Sequence, residues 1–217
     1  NFVIQSPVDV NLFNPNLNYL IDKFIGKIIR KKKIIVGTVA NVNPIKDLEK
    51  FISVAQKLSI YSNKVIFIVV GHIYTSQKEY YNDLILKIKH LKLKNFLFIN
   101  AREDVRSILK SMDIYVCTSK NESSPLSVWE AMSMEKAIVS KDVGDVSKFI
   151  KNGVNGFIVK ASNSNDLAKS VKNLILDPKL RKKFGKKSRQ IAKNKLDLKV
   201  CGKLHSIAYK SIAYKSI

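Results

Sequence analysis

Short apolar runs alternate with amphipathic stretches along most of this chain, and that alternation narrows the folds open to it. Ile34 to Ala40, Val65 to Val70, Phe96 to Ile99, Asp113 to Thr118, Ala137 to Ser140 and Phe157 to Val159 are brief and largely apolar, as buried strands are. Between them, Asp47 to Leu58 carries Leu48, Phe51, Ile52, Ala55 and Leu58 at helical spacing. Lys78 to Leu91 repeats the pattern through Tyr81, Leu84, Ile85, Ile88 and Leu91. Glu103 to Met112 reads as a short helix, and Ser164 to Leu176 and Pro178 to Lys195 read as closing ones. Strands that alternate with helices are joined by crossovers and lie parallel. The expectation is therefore an α/β fold, a Rossmann-like open parallel sheet of about six strands flanked by helices. Ligands of such sheets bind outside the carboxyl ends of the strands. The segments Gly37 to Lys46 and Ser119 to Pro125 both lie there, so they should meet in one cleft.

The second segment leads into the most specific chemical signal in the chain. Glu122 and Glu130 bracket Ser123, Ser124, Pro125 and Leu126, so two carboxylates flank a Ser-Ser-Pro helix start. Ser123 or Ser124 can cap that helix, and Pro125 fits its first position. A helix start offers free N–H groups and the positive end of the helix dipole, which attract phosphate. Ionised carboxylates only accept hydrogen bonds, so they suit sugar hydroxyls and repel phosphate. The start at Pro125 leaves Glu122 in the loop and Glu130 inside the helix. One acid can then serve hydroxyls on each side of a diphosphate. On spacing alone the two acids read more readily as a solvated surface pair.

Composition sets the remaining bounds. A chain of 217 residues with 46% hydrophobic content can build one large domain with a true core. The net charge of +22 raises the question of nucleic acid. The lysines, however, are spread over most helices, with no zinc-finger, helix-turn-helix or aromatic-basic signature, which argues against it. Solvated helix faces, drawn to an anionic membrane surface or an anionic donor, account for the charge better. Biased codon usage is also compatible with so much Lys, Ile and Asn. Cys117 and Cys201 are far apart and outside any CxxC, so neither a zinc site nor a disulfide framework is expected. Cys117 reads as a small buried hydrophobe, and a reducing cytoplasm is the default compartment. No apolar run approaches the roughly 18 residues that span a bilayer, and no leader is evident. The chain starts at Asn1 and reads as a fragment. His72, His90 and His205 match no motif. Ser206 to Lys210 is repeated as Ser211 to Lys215, a period that suits neither helix nor strand.

The segment from Glu122 to Glu130 resembles the Glu-x7-Glu motif of GT-B glycosyltransferases of the family 4 type (glycosyl transferases group 1), in their C-terminal donor-binding domain. The resemblance extends over nearly the whole chain. Val3-Ile4, Pro7-Val8-Asp9 and Phe13-Asn14-Pro15 look like the linker that opens this half. Val36 to Asn41 with Pro44-Ile45-Lys46 looks like its first strand and phosphate loop. Asp142-Val143-Gly144 and Asn152 to Phe157 look like two later turns. The resemblance implies an interdomain linker over 1–32, a nucleotide-sugar-binding domain over 33–195 and a C-terminal helix or tail over 196–217.

It also implies the site. Lys46 would contact the donor diphosphate, Gly37 would let the backbone approach the nucleotide, and Glu130 would accept from the ribose. Glu122 would face the transferred sugar, and Ser123, Ser124 and Leu126 would offer backbone N–H groups. Asn41 stands where the family usually has arginine, so it can hydrogen-bond but adds no charge. Ser123 replaces a common glycine, and Glu135 and Ala137 replace the usual Gly and Pro. Lys148 stands where an acid is frequent. Arg102 and Glu103, in a strand-end loop, would border the base. The implied reaction is transfer of a sugar from a UDP-sugar or GDP-sugar to a hydroxyl, with retention, no metal and no cofactor. Lys46 and Glu122 would act at the reacting bond. The acceptor would belong to a missing N-terminal domain, so this part alone would be incompletely active. The place of action would be the cytoplasm, at the cytoplasmic face of a membrane where the basic surface meets one. Two alternatives stay open: a GT-B sugar-nucleotide epimerase, and a non-catalytic basic module for membrane or nucleic acid.

Overall fold

The computed structural model of the chain describes residues 4–21, 26–27, 33–160 and 163–213. Six strands form its sheet: β1 (Ile34–Val39), β2 (Val65–Gly71), β3 (Phe96–Asn100), β4 (Ile114–Cys117), β5 (Ala137–Lys141) and β6 (Gly156–Val159). Every neighbouring pair is parallel, in the order β3-β2-β1-β4-β5-β6. The expected parallel sheet is therefore present, with every strand end within one residue of that read from the apolar runs. β2 shows why the runs were legible. A parallel strand covered by helices on both faces has no polar side, and all its residues from Val65 to Gly71 are buried.

The helices are α1 (Leu48–Lys57), α2 (Lys78–His90), α3 (Arg106–Ser111), α4 (Leu126–Ser133), α5 (Val146–Phe149), α6 (Ser164–Leu176), α7 (Pro178–Lys195) and α8 (Leu198–Ala213). Two are shorter than their periodicity suggests, for local reasons. The helix expected from Glu103 begins only at Arg106, because Asp104 Oδ1 accepts from the Arg106 backbone N–H at 2.9 Å and its carboxylate grips the Arg106 guanidinium. A side chain that satisfies the backbone in this way competes with helix. The helix expected from Asp47 begins at Leu48, because Asp47 sits at φ 50° in the left-handed region.

Helices cover both faces of the sheet. On one face the Phe51 and Phe96 rings lie 5.5 Å apart and the Phe51 and Phe67 rings 5.7 Å apart, both edge to face. On the other, fully buried Trp129 meets Phe149 edge to face at 5.1 Å. Trp129 projects from α4, so core packing on this face also fixes the helix that carries Glu130.

The segment before the sheet docks onto this second face. Val8 is buried, donates to the Leu196 carbonyl at 2.8 Å and accepts from Leu198 N–H at 3.3 Å. The Arg189 guanidinium of α7 donates to the carbonyls of Phe13 and Ser133, joining segment, α7 and α4. Of the expected linker, residues 1–3, 22–25 and 28–32 lie outside the described residues. The first copy of the tail repeat falls inside α8. Tyr214 and Lys215 of the second copy lie outside the described residues.

At the end of α4, Lys136 N–H returns to the Ala131 carbonyl at 3.0 Å and Glu135 N–H to the Met132 carbonyl at 3.1 Å. This is a Schellman stop, which needs a left-handed residue, usually glycine. Glu135 occupies that position at φ 58°. The departure from glycine noted in the sequence thus falls where a side chain costs about 1–2 kcal/mol.

Candidate functional site

β2 and β3 lie on one side of β1 and β4 on the other, so the connections out of β1 and β4 diverge. Such a switch point leaves a crevice at the carboxyl ends of the two strands. A cleft of about 400 Å³ opens there, lined among others by Ala40, Asn41, Lys46, Glu122, Ser124, Leu126 and Glu130. The two segments expected to meet do so. Lys46 Nζ lies 2.7 Å from Glu122 Oε1, although 76 positions separate them in sequence.

Each partner of that ion pair is held by its own loop. Asn43 Oδ1 accepts from the backbone N–H groups of Ile45 and Lys46 and caps a single 3-10 turn, Pro44–Lys46. Thr118 Oγ1 donates to the Lys46 carbonyl at 2.9 Å, and Lys120 N–H donates to the Ile45 carbonyl at 2.7 Å. Asp47 and Lys141, both nearly buried, approach to 3.7 Å and tie the turn to the end of β5. Ser119 Oγ donates to Glu122 Oε1 at 2.7 Å. On the far side of the acidic loop, Asp145 N–H donates to the Ser123 carbonyl at 3.0 Å. Gly144 lies so close that an added Cβ would stand 2.3 Å from that same carbonyl oxygen. Gly144 belongs to one of the turns quoted in the resemblance, and the structure shows its physical use: it lets the β5–α5 turn press on the acidic loop.

The helix start differs from the expectation in detail. Val128 and Trp129 donate to the Pro125 carbonyl at 3.0 and 3.3 Å, so Pro125 is the cap rather than the first helical residue. Neither serine caps. Ser124 Oγ accepts from the Trp129 indole N–H at 3.1 Å and from Ser6 N–H at 3.2 Å. A buried indole needs an acceptor, and Trp129 takes the one that capping would have used. The N–H groups of Leu126 and Ser127 are left at the open start of α4, on the cleft wall.

Gly37 requires a correction as well. It lies inside β1, paired across to Ile68 and Tyr115, and does not line the cleft. An added Cβ would stand 2.6 Å from Met112 Cε and 2.9 Å from Ile68 Cγ1. Its small size serves helix-to-sheet packing and not a nucleotide. The glycine that brings backbone close at the cleft is Gly71, whose added Cβ would stand 1.9 Å from the Ala40 carbonyl oxygen. Gly71 is the last residue of β2. The apolar lining comes from Val70 of β2 and from Ala101 and Val105 in the connection between β3 and α3, so no single motif in the sequence signals it.

Asn41 lines the cleft, and its Oδ1 accepts from His72 N–H at 3.1 Å. That bond leaves its amide NH2 as the end available to a ligand. Arg102 lines the same cleft and also an adjoining surface hollow with Leu20, Glu103 and Asp104; Glu103 lines only the hollow.

Glu130 stands apart. It is partly buried on the cleft wall, and burial pushes its carboxyl up to about 7. Among the described residues nothing hydrogen-bonds or ion-pairs with it. Burying an acid without a partner is costly. A cleft that keeps one is suited to a ligand that brings hydroxyl donors.

Residues 21–191 match the family of glycosyl transferases, group 1. The chain belongs to that family. Among its curated relatives is the N,N'-diacetylbacillosaminyl-diphospho-undecaprenol alpha-1,3-N-acetylgalactosaminyltransferase of Campylobacter jejuni, 31% identical over 161 residues, or 74% of this chain and 40% of the relative. Another is the UDP-Gal:alpha-D-GlcNAc-diphosphoundecaprenol alpha-1,3-galactosyltransferase of Escherichia coli, 27% identical over 169 residues, covering 74% of this chain and 41% of the relative. Among solved structures, Anabaena HepE in complex with UDP superposes with a TM-score of 0.83 at 22% identity, over 98% of this chain and 57% of that one. The C-terminal domain of LpcC from Francisella tularensis gives 0.77 at 24% identity, over 88% of this chain and 99% of that domain. The fold is thus that of the C-terminal half of a GT-B protein. The chain spans half or less of the length of the first curated relatives, at 40%, 31% and 50%.

Proposed function

We propose that this chain is the donor-binding half of a glycosyltransferase that moves a sugar from a nucleoside diphosphate sugar to a hydroxyl acceptor in glycan or polysaccharide biosynthesis. The observation that carries the reading is the wall of the cleft at the carboxyl ends of β1 and β4. A cation paired with an acid (Lys46 and Glu122), a helix start and an unpartnered acid (Glu130) line it together. A donor has the matching order of groups: sugar hydroxyls, a diphosphate, then ribose hydroxyls. Glu130 accepts from the ribose. Lys46 and the Leu126 and Ser127 N–H groups at the start of α4 hold the diphosphate. Glu122 accepts from the sugar. As the glycosidic bond breaks, negative charge grows on the diphosphate and is met by Lys46 and the helix start, with no metal in the scheme. Anomeric configuration is retained, and UDP is the leading nucleotide, supported by the UDP complex of HepE. The apolar strip with Arg102 takes the base.

The acceptor site lies in the part of the protein that this chain does not include, so the chain alone binds donor and turns over slowly. Two relatives are named for undecaprenol-linked diphosphate acceptors, which supports a lipid-linked acceptor; action at the cytoplasmic face of a membrane belongs to the same proposal.

The roles of the two acids separate in one experiment. Glu122→Ala is expected to weaken UDP-sugar binding about tenfold, consistent with loss of a charged hydrogen bond. Binding of UDP itself should hold or improve, because Lys46 is released to the diphosphate. Titrations of both ligands measure this, and equal losses on the two would contradict the assignment of Glu122 to the sugar.

A further inference from the structure

We propose that the exposed lysine face of α7 is a docking surface for an anionic membrane. The helix reads PKLRKKFGKKSRQIAKNK and contains no acidic residue. Its two arginines are committed to the fold: Arg181 donates to the carbonyls of Leu174 and Ile175 at the end of α6, and Arg189 to the segment before the sheet. The lysines are not. Lys179, Lys183, Lys186 and Lys187 recur at helical spacing, so they share a face, and all are exposed. Among the described residues no carboxylate pairs with any of them; Lys187 Nζ reaches only the Gln190 side-chain oxygen, at 2.8 Å.

Beside this face, the turn before β6 carries Val154 outward, 44% exposed, next to Gly153 at φ 74°. Val154, Lys183, Lys186, Lys187 and Gln190 together line an open groove of about 490 Å³. Exposed lysines without carboxylate partners around an aliphatic tip do not form a stereospecific anion site. They create a diffuse positive field with one apolar side chain placed to enter a lipid headgroup layer, while the lysine stems lie flat and their ammonium groups reach phosphates. The groove has no aromatic ring on which a base could stack, which favours lipid over nucleic acid. The turn precedes β6 and so lies at the amino end of the sheet, away from the donor cleft, and the two sites share no lining residue. Membrane contact through this face leaves the cleft open to soluble donor.

The test is co-sedimentation with vesicles of phosphatidylcholine alone and with about 30% phosphatidylglycerol, at low and high salt. The variants are K183E/K186E/K187E and, as a control of equal charge change, K87E/K89E/K94E on and beyond α2. The expected result is binding to the anionic vesicles only, weakened by salt. The α7 variant should bind about 100-fold more weakly, near fivefold for each lysine. The control should lose far less, and both variants should keep the circular dichroism and UDP affinity of the parent chain. The proposal is overturned by absence of binding to anionic vesicles, by equal loss in the two variants, or by tighter binding to a 30-nucleotide single strand than to vesicles at matched salt. If the triple variant fails to fold, Val154→Asp replaces it. Unchanged vesicle binding by that variant overturns the role of the tip.

Discussion

Glu122 and Glu130 face one cleft under opposite conditions. Glu122 is anchored: Lys46 and Ser119 both reach the same carboxylate oxygen at 2.7 Å. Glu130 is partly buried without a partner among the described residues, and burial pushes its carboxyl up to about 7. The first acid is part of the scaffold that joins two loops, and a ligand must compete with Lys46 for it. The second is held in an unfavourable setting by Trp129, its neighbour on α4, whose burial places that helix. Groups kept at a cost to stability are expected where a ligand later relieves the cost.

The contrast can be broken by measuring what each acid does for the empty protein. The larger effect is expected at Glu130. Its carboxyl titrates near 7 in the fold against an ordinary 4.5. Between those values the native protein holds a proton that the unfolded chain has released, so stability falls as pH rises through that window and stays lower above it. A shift of this size corresponds to at most about 3 kcal/mol, and water in the cleft reduces it to about 2 kcal/mol. Glu130→Gln should therefore stabilise the protein by about 2 kcal/mol at pH 8 and by almost nothing at pH 4.5, as read from urea unfolding curves. A gain independent of pH would show that packing, and not the buried charge, is the cause. The smaller effect, opposite in sign, is expected at Glu122. Glu122→Gln should cost about 0.5–1 kcal/mol at pH 7, because a half-buried ion pair to Lys46 is lost while Ser119 keeps an acceptor. A stabilised Glu122→Gln protein would put both acids in the same class and remove the contrast.

The sheet was legible because its central strands, β2 and β4 above all, are buried on both faces and read as unbroken apolar runs. The meeting of Lys46 and Glu122 was legible only through topology: two loops after strands that flank a switch point. What sequence could not show came from contacts between distant elements. The hydroxyl of Ser124 looks like a cap until the buried Trp129 indole claims it. Gly37 looks like a nucleotide-facing glycine until Met112 and Ile68 are seen packed over it, while Gly71, against Ala40, holds the close approach at the cleft. The isolation of Glu130 is likewise invisible in sequence, since the spacing of two acids says nothing about which one finds a partner.

The most direct test of the donor site is a calorimetric titration of the chain and of Glu130→Ala with UDP, GDP, ADP and pyrophosphate at moderate salt. One nucleoside diphosphate should bind well above pyrophosphate, and the variant should lose about tenfold or more of that affinity, as expected for a charged acceptor to ribose hydroxyls. The preference should sharpen as pH rises through about 7, where Glu130 ionises. Equal, weak, salt-sensitive binding of all four ligands, indifferent to the substitution, would contradict a donor site in this cleft and leave only a basic surface.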